Sequence, residues 1–407
     1  MMVKRTVPLK NDRKIKLLET IADLHIHVGF VGERPIKIPA SPDLMVGNIL
    51  KKSRDLGIGV IGVADCHSPY VTKELAGWIE RGDLTPLPGG GLRWEDSVTL
   101  IPAVEVETSE EGPRIPGKSS RSSHHMVYLP DLEKLEEFNQ LWREARRKER
   151  VGAARALEIA DRVGGMFIPA HIFTPHKGML GCAADRSEDI FGSRMIPAIE
   201  VGLSADSEMA DRLSENYSRS FLTNSDAHSV KRIGREHSSL LLAGENLDEV
   251  RKAVLREEGR RVTANFGMLP VLGKYYRTCC RSCRVITRQP PPVTVCSECG
   301  SPLVDLGVMD RVEMIADRTA PKHPPHRPPY HHLIPLESFS GIGARKVERL
   351  LDEYGSEKAV LWCADEAGLE RIAGPATAGL ILRARAGEAA VTPGGGGKFG
   401  KIDRAKQ

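Results

Sequence analysis

The sequence predicts an α/β protein: a βα barrel, then a four-cysteine zinc ribbon, then a small helical domain. Three observations carry this. Short apolar strands alternate with helix-like segments over roughly the first 230 residues, as in a parallel sheet with crossover helices. Two Cys-x2-Cys pairs follow, and helical signals return after a proline-rich connector.

The strands are read at "TIADLHIH", "GIGVIGVADCH", "TLIPAVEVE", "SHHMVYLP", "GGMFIPAHI", "MIPAIEVGLS" and "SFLTNSDAH". Between several of them lie helical patterns such as "SPDLMVGNILKKSRDLG" and "LEKLEEFNQLWREARRKER". Seven such units suit a closed barrel better than an open sheet. The expected domains are a barrel over 1–265, a ribbon module over 266–320, a proline-rich linker over 321–335, a helical domain over 336–390 and a glycine-rich basic tail over 391–407. The glycines of "VTPGGGGKFGKIDRAKQ" predict that this tail is mobile.

No apolar run approaches the roughly 20 residues that a membrane helix needs, and "MMVKRTVPLKNDRK" lacks the apolar core of a signal peptide. The expected location is therefore the cytoplasm, with no membrane partner. Net charge is +4, unevenly spread: from Val271 onward 20 lysines and arginines face 15 acidic residues, which points to a polyanionic partner for the C-terminal third.

Nearly every strand of the first region ends in a metal-ligating residue type. His25 and His27 end the first strand; Asp65 and His67 follow the second, and Glu105 lies in the third. The fourth offers His124 or His125, the fifth His171, and "NSDAH" Asp226 and His228. Residues at the strand ends of a βα barrel converge on one face. Any one of these histidines alone would be an ordinary hydrogen-bonded residue, but nine of the chain's 13 histidines precede residue 240, and most sit at a strand end. Mixed imidazole and carboxylate ligands suit zinc, manganese or iron rather than calcium. So many donors exceed what one four-coordinate ion can take. The expected complement is two or three divalent ions, zinc, manganese or magnesium. Ions so placed activate water and clamp phosphoryl oxygens, which makes phosphoester hydrolysis the leading reaction class, with Asp65, His171 and Asp226 as catalytic residues. Lys177 and Arg235 are candidates for binding a substrate phosphate.

Cys280, Cys283, Cys296 and Cys299 have the spacing of a structural zinc site, in which two tight knuckles present four thiolates tetrahedrally. Cys279 is an alternative to Cys280, though x2 spacing closes a knuckle more usually. Arg277, Arg281, Arg284 and Arg288 would surround this zinc with positive charge. Further on, "FSGIGARKVERLLDEYG" reads as a glycine hairpin leading into a basic helix. There Gly341 and Gly343 would let backbone N–H groups approach a DNA phosphate, with Arg345 and Lys346 adding charge. This looks like a helix-hairpin-helix.

The "HIH", Glu105, "PAHIFTP" and "NSDAH" elements resemble the PHP (polymerase and histidinol phosphatase) superfamily. The resemblance implies a distorted seven-stranded βα barrel with a trinuclear metal site, whose ligands would be His25, His27, His67, Glu105, His124, His171, Asp226 and His228, with Asp65 as a further candidate. In "VGFVGERPIKI" the chain departs from the many PHP enzymes that place another histidine shortly after the first pair. The order of barrel, "GKYYRTCCRSC…CSECG" ribbon, proline linker, "GIGARKVERLL" and "GGGGKFGKI" is similar, over essentially the whole chain, to the endonuclease Q family, and closer to its bacterial branch. That resemblance implies cleavage of double-stranded DNA 5′ to a deaminated base (uracil, hypoxanthine, xanthine) or an abasic site. A replication clamp is a conceivable partner that these residues do not disclose. Two rivals differ in what they need: a small-molecule phosphatase has no use for the ribbon and the basic helical domain, and a catalytically inactive DNA-binding protein has none for the ligand set.

Overall fold

A computed structural model describes residues 16–111, 121–148 and 150–403. The N-terminal segment read for a leader and the last four residues of the tail lie outside them.

Seven strands ring the site: β1 (Leu18–Ile26), β2 (Ile58–Val63), β3 (Val98–Ser109), β4 (Ser122–Tyr128), β5 (Met166–Pro169), β6 (Ala198–Glu200) and β7 (Ser220–Leu222). β1, β2 and β3 pair in parallel, and so do β6 and β7. The ring is irregular where it closes. Beyond β5, Ile172 N donates to Glu200 O of β6 at 3.0 Å, and beyond β7, Ala227 bridges to Ile26 of β1. β2 is buried along its whole length, so "IGVIGV" is apolar or glycine throughout rather than alternating.

β4 departs from the expected parallel alternation, running antiparallel to both β3 and β5. The reversal places the start of β4, not its end, at the site.

Helices α1 (Val46–Asp55), α2 (Pro69–Glu80), α3 (Leu132–Lys148) and α4 (Ala153–Arg162) cover the outside. In α3 the buried residues Leu135, Phe138, Asn139, Trp142 and Ala145 recur at three- and four-residue steps, one stripe facing the core. Two antiparallel strands, β8 (His237–Leu242) and β9 (Arg261–Met268), extend the sheet from the first half of β1.

The ribbon's short strands Cys279–Cys280 and Val304–Asp305 pair antiparallel. Helix α5 (Val308–Ile315) then packs Val308, Val312 and Ile315 into the barrel's own core. The proline-rich segment is a strap and not a loose linker. Its residues Tyr330–Leu333 form β10, parallel to β9 at the sheet edge, where proline-rich chain is tolerated. The buried Asp211 fixes it, accepting two hydrogen bonds from Arg327 and one from His323.

Four helices, α6 (Ala344–Tyr354), α7 (Glu357–Trp362), α8 (Glu366–Ala373) and α9 (Pro375–Arg385), share a core containing Leu350, Val360, Leu369, Leu380 and Ile381. The described part of the glycine-rich tail is docked, contrary to the mobility its composition predicts. Ala390–Thr392 pairs with Lys401–Asp403, Ile402 is buried in the helical core, and Gly394, Gly397 and Gly400 bond to the 271–277 backbone. The glycines are there for close approach: a Cβ on Gly394 would stand 2.3 Å from Gly273 O.

Candidate metal centre

His25 and His27 are two residues apart on β1 and the chain just beyond it, so both rings enter the same cup, with centroids 5.2 Å apart. Buried Glu200, at the end of β6, accepts from His25 Nδ1 at 3.0 Å. This fixes the tautomer and points Nε2 at the cup, where it finds no hydrogen-bond partner among the described residues. Asp65 does the same for His27, accepting from its Nδ1 at 2.8 Å and from Val28 N at 2.9 Å. A carboxylate behind an imidazole is the arrangement that orients a metal-ligating histidine. An unpartnered, fully buried imidazole nitrogen facing carboxylates is what a bound cation would explain.

Two three-donor groups form. His25, His27 and Asp226 make one, and Glu105, His124 and His171 the other, the donor atoms of each lying within 4.8 Å of one another. Glu105 joins them: its Oε1 is 2.6 Å from His124 Nδ1, 3.5 Å from His171 Nε2 and 3.6 Å from His25 Nε2, and its Oε2 is 3.7 Å from His27 Nε2. Asp226 Oδ1 lies 3.2 Å from His27 Nε2. The hydrogen bond from His27 and the surrounding imidazoles hold Asp226 far below the usual carboxylate range, despite its burial. The donor chemistry therefore fits divalent ions.

Two of these residues have left-handed backbones, His171 (φ 31°) and Asp226 (φ 46°). Non-glycine residues hold that conformation only where the surroundings impose it, most often at functional sites. Gly202 makes room for the first: a Cβ there would meet His171 Cβ at 2.9 Å. The Asp226 loop is held by buried Asp23, which accepts from Ser225 N and Gly234 N.

Not every expected residue joins. Asp65 stands behind His27 instead of among the donors, because both contacts above draw the same oxygen, Oδ2, away from the cup. His67 lines the larger cavity and is exposed, while His228 packs 4.5 Å from the His27 ring; neither belongs to a donor group. Lys177 lines the smaller cavity, but Glu107 engages its ammonium. Arg235 pairs with buried Glu236 at 3.4 Å and lines neither cavity. His125 points away from the cup, bonded to Ser123 and Thr108 and stacked on Phe167.

Sequence reasoning missed Glu200, Lys37, Lys274 and Tyr275. Glu200 carried a signal, a carboxylate ending a fully apolar strand. The others sit in loops with no pattern. Lys37 and Glu105 line both a cavity of about 590 Å³, extending to Trp142, Arg146 and Arg150, and one of about 220 Å³, extending to Lys274 and Tyr275.

In the ribbon, the sulfurs of Cys280 and Cys299 are 3.7 Å apart and those of Cys283 and Cys296 are 3.6 Å apart, with all four in one cluster. Cys279 lies outside it. In the helical domain, exposed Gly343 precedes α6 and Arg345 is exposed beside it. Lys346, expected on phosphate, donates to Ala373 O at 2.8 Å and to Gly341 O at 3.3 Å, tying the glycine turn to the end of α8.

The described chain is an irregular α/β barrel that gathers histidines and carboxylates at its strand ends, with a four-cysteine cluster appended. No family model matches the chain. YqxK, an uncharacterized protein of Bacillus subtilis (strain 168), is 39% identical over 396 residues, covering 94% of this chain and 98% of its own. The crystal structure of the lesion-specific endonuclease PfuEndoQ from Pyrococcus furiosus matches with a TM-score of 0.74 at 29% identity, covering 95% of each chain. Endonuclease Q in complex with a 27-mer duplex bearing an abasic lesion at the active site matches with a TM-score of 0.77 at 28% identity, covering 96% of this chain and 97% of that one. The chain belongs to the endonuclease Q family.

Proposed function

We propose that this protein is a metal-dependent DNA repair endonuclease, which nicks double-stranded DNA 5′ to a deaminated base (uracil, hypoxanthine or xanthine) or an abasic site. The observation that carries the reading is the pair of donor groups joined by Glu105, opening on two cavities, in a chain that matches a lesion-bound endonuclease Q from end to end. His25, His27 and Asp226 would hold one ion, and Glu105, His124 and His171 the other. Divalent ions held there supply an activated water and neutralise charge on the phosphoryl oxygens during in-line displacement. Glu200 and Asp65 keep each imidazole presenting its Nε2, which removes reorganisation from the reaction. His67 lines the larger cavity and His228 the smaller, where substrate would lie. The ribbon carries a structural zinc, and the exposed hairpin with Gly341, Gly343 and Arg345 grips the DNA backbone, so affinity falls steeply with salt.

The test is an end-labelled duplex carrying a single uracil, hypoxanthine, xanthine or abasic site, incubated with the protein and Mn²⁺ or Mg²⁺, with product ends mapped. A nick 5′ to the lesion that EDTA abolishes is expected. Release of phosphate from small phosphomonoesters without any nick would replace the reading with a phosphatase. Duplex binding without any cleavage would replace it with an inactive binding protein.

A further inference from the structure

The two oxygens of Glu105 serve different neighbours. Oε1 faces His124 and His171, whereas Oε2 accepts from the Lys37 ammonium at 2.9 Å. Lys37 lies on the loop after β1, where Ile36 N is fixed to Gly29 O at 2.7 Å. Its side chain is 29% exposed, so the ammonium sits in the mouth of the cup, at the junction of the two cavities. Of the other cations nearby, Lys177 and Lys274 line only the smaller cavity and Arg235 lines neither, whereas Lys37 lines both and donates to an oxygen of Glu105. The described residues form two three-donor groups, with Lys37 on the oxygen of Glu105 turned away from His124 and His171 of the second group.

We propose that Lys37 is a catalytic residue: its ammonium contacts a non-bridging oxygen of the scissile phosphate, as a third, fixed cation beside two divalent ions. The proposal rests on the phosphodiesterase reading above. Bound ions would share the charge of Glu105 and weaken its hold on Lys37. The ammonium has three protons, of which Glu105 takes one, leaving two for an acceptor in the cavity. A preplaced donor of this kind stabilises charge spread over the phosphoryl oxygens.

Equilibrium titration of the intact protein with Mn²⁺, following the electron paramagnetic resonance signal of the free ion, gives the number of barrel ions. Inorganic phosphate is then titrated into the Mn²⁺-loaded protein. Two barrel ions are expected in both the wild type and Lys37→Ala, with phosphate bound about tenfold more weakly by Lys37→Ala, the loss expected for one charge-assisted hydrogen bond, and largely restored by Lys37→Arg. Unchanged phosphate affinity in Lys37→Ala overturns the proposal. So does a third barrel ion in the wild type, or loss of an ion in Lys37→Ala, since the lysine would then be holding ligands rather than phosphate. None of these readouts uses DNA, so an absence of nicking by the wild type would sink the proposed function while the role of Lys37 is still decided.

Discussion

The ribbon and the barrel both gather metal-ligating side chains, by opposite means. Four thiols of the ribbon come from residues 280–299, on two knuckles whose geometry is local. The barrel's grouped donors come from positions between 25 and 226, some within strands and some on the chain just beyond them. Behind the barrel donors stand buried partners, Glu200 for His25 and Asp65 for His27, and the surrounding core is continuous with the rest of the domain. The ribbon has little of this: Cys283 and Cys299 are exposed, and its paired strands are two residues long. From this contrast the barrel's donors would be held in place before an ion arrives, whereas the ribbon would depend on an ion for its order.

The strongest challenge to that contrast is removal of a barrel donor. Asp226→Asn or His171→Ala should lower nicking by about 10³-fold or more with little change in melting temperature or duplex affinity, as read by end-labelled cleavage and binding titrations. Were the fold to collapse instead, the barrel site would resemble the ribbon. Next in size is Glu200→Gln. With its orienting carboxylate gone, His25 should bind its ion about 10- to 100-fold more weakly, measured by Mn²⁺ titration. On the other side of the comparison, Cys283→Ser should release the ribbon zinc, expose residues 277–306 to proteolysis and weaken duplex binding roughly tenfold through lost phosphate contacts, while Mn²⁺ uptake by the barrel persists.

A change in stability alone, with no effect on either site, concerns Glu236, a buried carboxylate of the barrel that serves no donor. Burial pushes its carboxyl up to about 7 from an ordinary 4.5. A raised value means that its stabilising contribution is present in full below about pH 4.5 and lost as pH rises through 7. Glu236→Gln should therefore raise stability at pH 8 by at most ~3 kcal/mol and leave it almost unchanged at pH 4.5, as read by thermal melts at the two pH values.

Much of this organisation was legible beforehand. Runs such as "GIGVIGV" and "PAHIF" announce buried strands, and the residue types at their ends announce the cup. What was misread has physical causes. Asp65 has the right residue type and position, but its Oδ2 serves His27 and Val28, and it stands behind the histidine rather than among the grouped donors. Lys346 and Arg235 carry the right charge for phosphate, yet each is drawn into a local partnership that only packing creates. The glycine tail looks mobile by composition, whereas its glycines are what let it lie against the 271–277 backbone.

By itself, the sequence determined the strand and helix alternation, the two cysteine knuckles and the clustering of metal-ligating residue types at strand ends, because periodicity, ligand chemistry and short loop closure are local properties of a chain. Tertiary structure alone decided the antiparallel fourth strand, the division of donors into two groups around Glu105, the place of Lys37 in the mouth of the cup and the docking of strap and tail. Each of those depends on distances between residues far apart in the chain, and such distances exist only once the core has closed.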